Sequence, residues 1–125
     1  MHNMTACAKT SGYVRLCPLS EIPRRSSRRF VVTLTTGQIE IVAIRRYTRV
    51  FAYMNCCPHV SISLDMGSDD VLTEDRRYIV CANHGALFEI ATGDCIAGPC
   101  TGDGLQPVPV IVENGIIYIK PETAI

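Results

Sequence analysis

The sequence predicts an all-β fold, and three observations carry that reading. Short runs rich in Val, Ile, Thr and Phe recur with turn residues between them. No window sustains a helical period of useful length. Near the C-terminus, residues 108–112 and 116–119 flank Glu113, Asn114 and Gly115, a strong hairpin signal. Together these point to a small antiparallel barrel or sandwich.

The elements follow in order. Residues 29–35 (RFVVTLT) read as a strand, and Thr36-Gly37 offers the turn into a second strand over residues 38–44. Arg45, Arg46, Tyr47 and Thr48 separate it from residues 50–54. Residues 77–80 and 86–90 read as two more short strands. Residues 23–29 (PRRSSRR) read as an exposed basic loop, and residues 1–12 as a loose tail. The stretch 55–104 is poor in long strands yet holds five of the seven Cys and two of the three His. A loop-rich segment of that kind needs an internal staple, which a metal centre can supply.

With 125 residues, 47% hydrophobic and 19% charged, the chain suits a single packed domain. No apolar run is long enough to span a bilayer, and residues 1–19 lack the order of a secretory signal, so a cytoplasmic protein is expected. The zero net charge conceals +7 over residues 1–50 and −7 over residues 51–125. A neutral total with 6% aromatics gives no broad basic stacking face, so nucleic acid is not an expected partner, and without a long apolar run neither is a membrane. Residues 56–100 carry seven acids and, as bases, only Arg76 and Arg77. That balance suits a solvated loop region, or a rim that steers a basic redox partner.

Seven cysteines in a reducing compartment favour metal or redox chemistry over a disulfide framework. The decisive residues are Cys57-Pro58-His59 and Cys81-Ala82-Asn83-His84, two thiolate–imidazole pairs separated by residues 60–80. Two sulfurs and two nitrogens suit zinc or a mixed-ligand iron–sulfur cluster. Cys56 leaves a choice open, because Cys56-x-x-His59 would repeat the spacing of Cys81 and His84. Beside a ligand, Cys56 is expected as a buried or half-buried bystander. Cys95 and Cys100 suit packing or loop roles better than a disulfide or a second metal pair, and Cys7, Cys17 and His2 lie outside the constellation.

Read as Cys-x-His followed by Cys-x-x-His, the pattern resembles the Rieske family of 2Fe-2S proteins. The likeness continues through residues 84–88 (HGALF), Thr92-Gly93, Gly98-Pro99 and residues 105–110, and covers about residues 15–120. It implies a Rieske-like fold: an antiparallel basal barrel or sandwich over residues 13–54 and 105–120, with a small cluster-binding subdomain at 55–104 inside one domain spanning 13–125. It also implies that Cys57 and Cys81 bind one iron of a 2Fe-2S cluster and that His59 and His84 bind the other. Gly98-Pro99 then becomes a third loop over the cluster, with Gly85, Gly93 and Gly98 at close backbone approaches.

An oxidised core of two ferric ions and two sulfides is formally neutral with two thiolates and two neutral imidazoles, but −2 with four thiolates. The mixed set therefore accepts an electron at a higher potential, about −150 to +300 mV against about −400 mV. High-potential respiratory members carry hydroxyl residues where this chain has Ala86 and Phe88, and a loop-to-loop disulfide that its sequence lacks. The resemblance implies a ferredoxin of the lower-potential kind. It would be an electron carrier rather than an enzyme, taking electrons from a flavin-containing reductase to a terminal oxygenase. Only His2 remains for a mononuclear iron site, so a complete oxygenase is excluded. The alternatives are an accessory subunit of a nitrite reductase-like system and a zinc-stabilised binding module.

Overall fold

The structure, a computed structural model, describes residues 12–56, 58, 64, 70–82, 85–98 and 102–121. Residues 1–11 of the expected tail fall outside that set, and Gly12 lies against the Lys120 side chain. The described residues form ten strands: β1 (Val14–Pro18), β2 (Ser26–Leu34), β3 (Gly37–Arg46), β4 (Arg49–Met54), β5 (Tyr78–Val80), β6 (Leu87–Glu89), β7 (Cys95–Ala97), β8 (Pro107–Val108), β9 (Val110–Glu113) and β10 (Ile116–Ile119). A 3-10 turn, Leu19–Glu21, follows β1. All pairings are antiparallel, in sheets ordered β1-β10-β9, β2-β3-β4-β8 and β5-β6-β7. The predicted all-β class is what is found.

Ile41, Val42, Ala43 and Ile44 in β3 are all fully buried, a continuous apolar run where a half-exposed strand would alternate. Side chains of successive residues point to opposite faces of a sheet. Ile41 and Ala43 therefore join apolar clusters that contain residues of β1, β9 and β10. Val42 and Ile44 join Tyr53 in a third cluster with Leu64, Ile79, Phe88 and Ile90 from the segment between β4 and β8. The central sheet is thus a shared wall, with the β1-β10-β9 sheet on one side and the β5-β6-β7 layer on the other.

Several expectations need correction. The basic stretch is a loop only as far as Arg25; Ser26 to Arg29 open β2, where every residue pairs with β3. The β2–β3 turn is Thr35-Thr36, since Gly37 already pairs with Leu34. The run 108–112 divides at Pro109: Val108 pairs with β4 and Val110 with β10, so the chain changes sheets there. Proline has no N–H to extend a ladder, which makes it suited to that switch. β1 and β7 carry no clear strand signal in sequence, and each is irregular, with a bulge at Leu16 and at Ile96. The β9–β10 hairpin forms as expected, with Asn114 and Gly115 both at positive φ.

Candidate metal centre

Of the four expected ligands the structure describes Cys81; Cys57, His59 and His84 lie outside the described residues, as does Cys100. β5 delivers Cys81 fully buried at its end. The Cys81 N–H donates to the Ala86 carbonyl (2.9 Å), and the Gly85 N–H donates to the Cys81 carbonyl (2.8 Å). These two bonds close a tight loop between β5 and β6. Gly85 has φ +69° and open space on its Cβ side, so backbone conformation, not close approach, favours glycine there.

Gly98 does sit at a close approach. A Cβ on it would come within 2.9 Å of the Ala86 Cα, and its φ is +104°. The chain leaving β7 therefore presses directly on the loop that follows Cys81. Gly93 is equally crowded, by the Tyr53 ring at 2.6 Å from a built Cβ.

The segment after β4 is tied to the Cys81 loop through Leu64. The Asn55 side-chain oxygen accepts from the Leu64 N–H (2.9 Å), and the Leu64 carbonyl accepts from the Ala82 N–H (3.0 Å). Asn55 is itself buried, and its own N–H donates to the Glu40 carbonyl on β3 (2.9 Å). The Asn55 side chain thus ties the end of β4 to Leu64, and the Leu64 carbonyl ties that residue to the Cys81 loop. The sequence carries no cysteine pair placed like the loop-to-loop disulfide of the high-potential branch described above; here the Ala82 N–H to Leu64 carbonyl bond ties the two segments. Cys56, next to Asn55, is exposed, not buried or half-buried as expected, because β4 ends at Met54 and the chain turns out of the sheet there.

Two further ties hold this layer on the central sheet. The Tyr53 hydroxyl donates to the Ile90 carbonyl (2.6 Å) after β6, and burial pushes the phenol up to about 12, with the Asp94 charge adding to it. Asp70 accepts from Ser27 of β2 (3.0 Å), the Leu72 N–H (3.1 Å) and Arg76 (2.6 Å). Desolvation alone would raise the Asp70 carboxyl, but these three donors win and hold it below the usual carboxylate range. Cys95 is a packing residue as expected, buried in β7 with its thiol directed at the Ala97 carbonyl.

Sequence reasoning missed Asn55, Tyr53 and the Ser27–Asp70 tie. Only Asn55 left a trace: a polar residue between an apolar strand and a ligand segment.

Among the described residues, the one expected donor fits the implied group: the Cys81 thiol is fully buried, in one apolar cluster with Ala86 and Phe88, neither of which carries a hydroxyl.

Comparison with known proteins agrees. Residues 12–112 match the Rieske 2Fe-2S domain family. The 3-phenylpropionate/cinnamic acid dioxygenase ferredoxin subunit of Photorhabdus laumondii is 30% identical over 105 residues, covering 83% of this chain and 90% of that protein. The ferredoxin of carbazole 1,9a-dioxygenase from Nocardioides aromaticivorans IC177 superposes with a TM-score of 0.68 at 25% identity, covering 87% of this chain and 97% of that one. A complex of reduced oxygenase and oxidised ferredoxin from carbazole 1,9a-dioxygenase contains a chain that superposes at 0.67 with 26% identity, covering 86% of this chain and 91% of that one. This chain belongs to the Rieske 2Fe-2S domain family.

Proposed function

We propose that the chain is a one-electron carrier that serves a terminal oxygenase and performs no substrate chemistry itself. The observation that carries this reading is Cys81, wholly buried where two loops are stitched together, in a chain whose relatives are ferredoxin components of dioxygenase systems. Cys57, His59, Cys81 and His84 are the residues we assign to the 2Fe-2S cluster. Residues 55–104 would form the cluster-binding part of one domain spanning 13–125, with 13–54 and 105–120 as its scaffold. The cluster supplies a one-electron couple when bound. The protein's part is to hold the two loops at fixed separation, through Asn55 and Leu64, and to keep water from the Cys81 side through Phe88 and Ala86. A flavin-containing reductase fits as donor, and the cytoplasm as the setting; no helix among the described residues is long and apolar enough to cross a membrane.

Ala86 and Phe88 bring no hydroxyl toward the centre, so the reduced, more negative state gains no side-chain O–H hydrogen bond from these positions. The midpoint is therefore expected in the lower part of the Rieske range, below about +100 mV. Purified anaerobically, the protein should be red-brown with two irons and two sulfides per chain, and the reduced form should show a Rieske-type electron paramagnetic resonance signal. Stoichiometric zinc in a colourless protein would overturn the reading, and a midpoint well above +100 mV would overturn the argument from Ala86 and Phe88.

A further inference from the structure

The arginines that the electron-carrier reading leaves unused converge on one groove. Arg25 before β2, Arg46 and Arg49 on either side of the β3–β4 turn, and Arg76 and Arg77 before β5 line an open cavity of about 600 Å³. Three come from the basic first part of the chain; the other two are the only bases in residues 56–100. No acidic residue among those described lines this cavity. A smaller adjoining cleft shares Arg46 and Arg77 and adds Glu89.

Their engagement differs. Arg76 is paired with Asp70, and Arg25 donates to the Asp75 carbonyl (3.1 Å). Arg46, Arg49 and Arg77 have no carboxylate within ion-pair distance among the described residues. Arg49 and Arg77 instead lie over the rings of Phe51 and Tyr78. Arg46 and Arg49 are direct cross-strand partners, a like-charge pair that weakens the hairpin it closes.

The backbone adds a second, independent observation. Among the described residues four non-glycines have positive φ, and three of them line this groove: Arg25 (58°), Tyr47 (50°) and Arg76 (64°). The fourth, Asn114, sits in an Asn-Gly hairpin turn suited to that conformation. At Tyr47 and the two arginines the conformation is unfavourable for the residue type, and Arg45 braces it by donating from Nε to the Tyr47 carbonyl. Strain and like-charge repulsion are thus gathered at one concave place, where bulky cationic and aromatic side chains stand at turns that glycine or asparagine would make more easily.

We infer that this groove is a binding site for a ligand carrying a pyrophosphate group, of the nucleoside diphosphate class. Planar guanidinium forks match phosphate oxygens two at a time. The cavity volume falls within the range of small-molecule sites, about 300–1,000 Å³. Tyr47, 62% exposed, offers a ring on which a base can stack. Arg77 and Cys81 lie at opposite ends of β5, roughly 13 Å apart along the strand, so the inference does not depend on the metal centre.

The test is calorimetric titration of the purified, cluster-loaded protein with pyrophosphate, ADP and inorganic phosphate at a constant ionic strength near ~0.15 M. One saturable site per chain is expected for pyrophosphate, with phosphate at least about tenfold weaker. ADP binding more tightly than pyrophosphate would assign the base to Tyr47, and Tyr47→Ala would then remove that difference alone. The Arg46→Gln/Arg77→Gln variant should weaken pyrophosphate at least about tenfold with its visible spectrum unchanged, while Arg28→Gln, outside the groove, should not. Absence of saturable binding, an unchanged affinity in the double variant, or preference for an oligoglutamate peptide over pyrophosphate would each overturn the inference; the last would assign the groove to an acidic protein partner.

Discussion

The two layers flanking the central sheet are held in place by different means. On the basal side, β2 and β3 pair over nine consecutive positions, and β1, β9 and β10 interlock through apolar side chains such as Ile117 and Val112. On the other side, β5, β6 and β7 have three residues each, and the segments around them are fixed by individual hydrogen bonds at Asn55, Tyr53 and Asp70. Long ladders give many interchangeable contacts, so no single one decides the fold. Short strands with polar clips leave each clip without a substitute. The first arrangement resists mutation; the second places particular atoms, which a redox centre requires.

The sharpest way to break this contrast is to remove the ligand set. Cys81→Ser should abolish the cluster's colour entirely, whereas Cys56→Ser should leave it. In the colourless protein, hydrogen exchange at Leu87 to Glu89 should become fast while Val42 and Ile44 in β3 stay protected. Equal loss of protection in both layers would show that they unfold as one unit.

Asn55→Ala comes next. It leaves the buried Leu64 N–H without its acceptor, at about 1–3 kcal/mol, and should speed cluster loss at a given temperature. Asn55→Asp keeps an acceptor oxygen and should recover part of that loss. Denaturant unfolding and the decay of visible absorbance measure both.

Tyr53→Phe removes one hydrogen bond to Ile90 and should cost about 1 kcal/mol. The phenol is neutral in the folded state up to about 12, against 10.0 unfolded. A raised value of this kind contributes stability that is complete below pH 10.0 and lost as pH climbs toward 12. The variant should lack that part of the alkaline decline in a pH series of melting temperatures.

Asp70 should show the smallest effect and the opposite sign. Its carboxyl is held low in the folded state, so its stability is present above the unfolded value of 3.8 and fades as pH falls below it. The carboxylate is substantially exposed, so solvent screening keeps the contribution below about 1 kcal/mol. Asp70→Asn should flatten the acid limb of the same series.

Legibility in the sequence divides along the same line. The β9–β10 hairpin was readable because Asn114-Gly115 states its turn locally, and β3 because an apolar run of four admits few other readings. The Cys81-Ala82-Asn83-His84 pattern, which we assign to the cluster, stands out in the sequence because a thiol and an imidazole at that spacing suit metal ligation. β1 does not, because Arg15 and Cys17 break any alternation around a bulge. Cys95-Ile96-Ala97 is too short to register as β7. Asn55 escaped because its role is defined by Leu64, nine residues on, and Ser27 because its partner Asp70 is forty-three residues away. The arginine groove was hidden for the same reason. Three separate turns build it, and each alone reads as an ordinary solvated connection.

The shared wall formed by Ile41 to Ile44 bears on protein engineering. A graft cut at Met54 and Leu105 would leave behind Val42, Ile44 and Tyr53, the floor on which Leu64, Ile79 and Phe88 rest. The transplant would meet its new host with an oily underside and no matching seat. Swapping redox loops between carriers of this kind should therefore carry the β3–β4 hairpin along as a plinth.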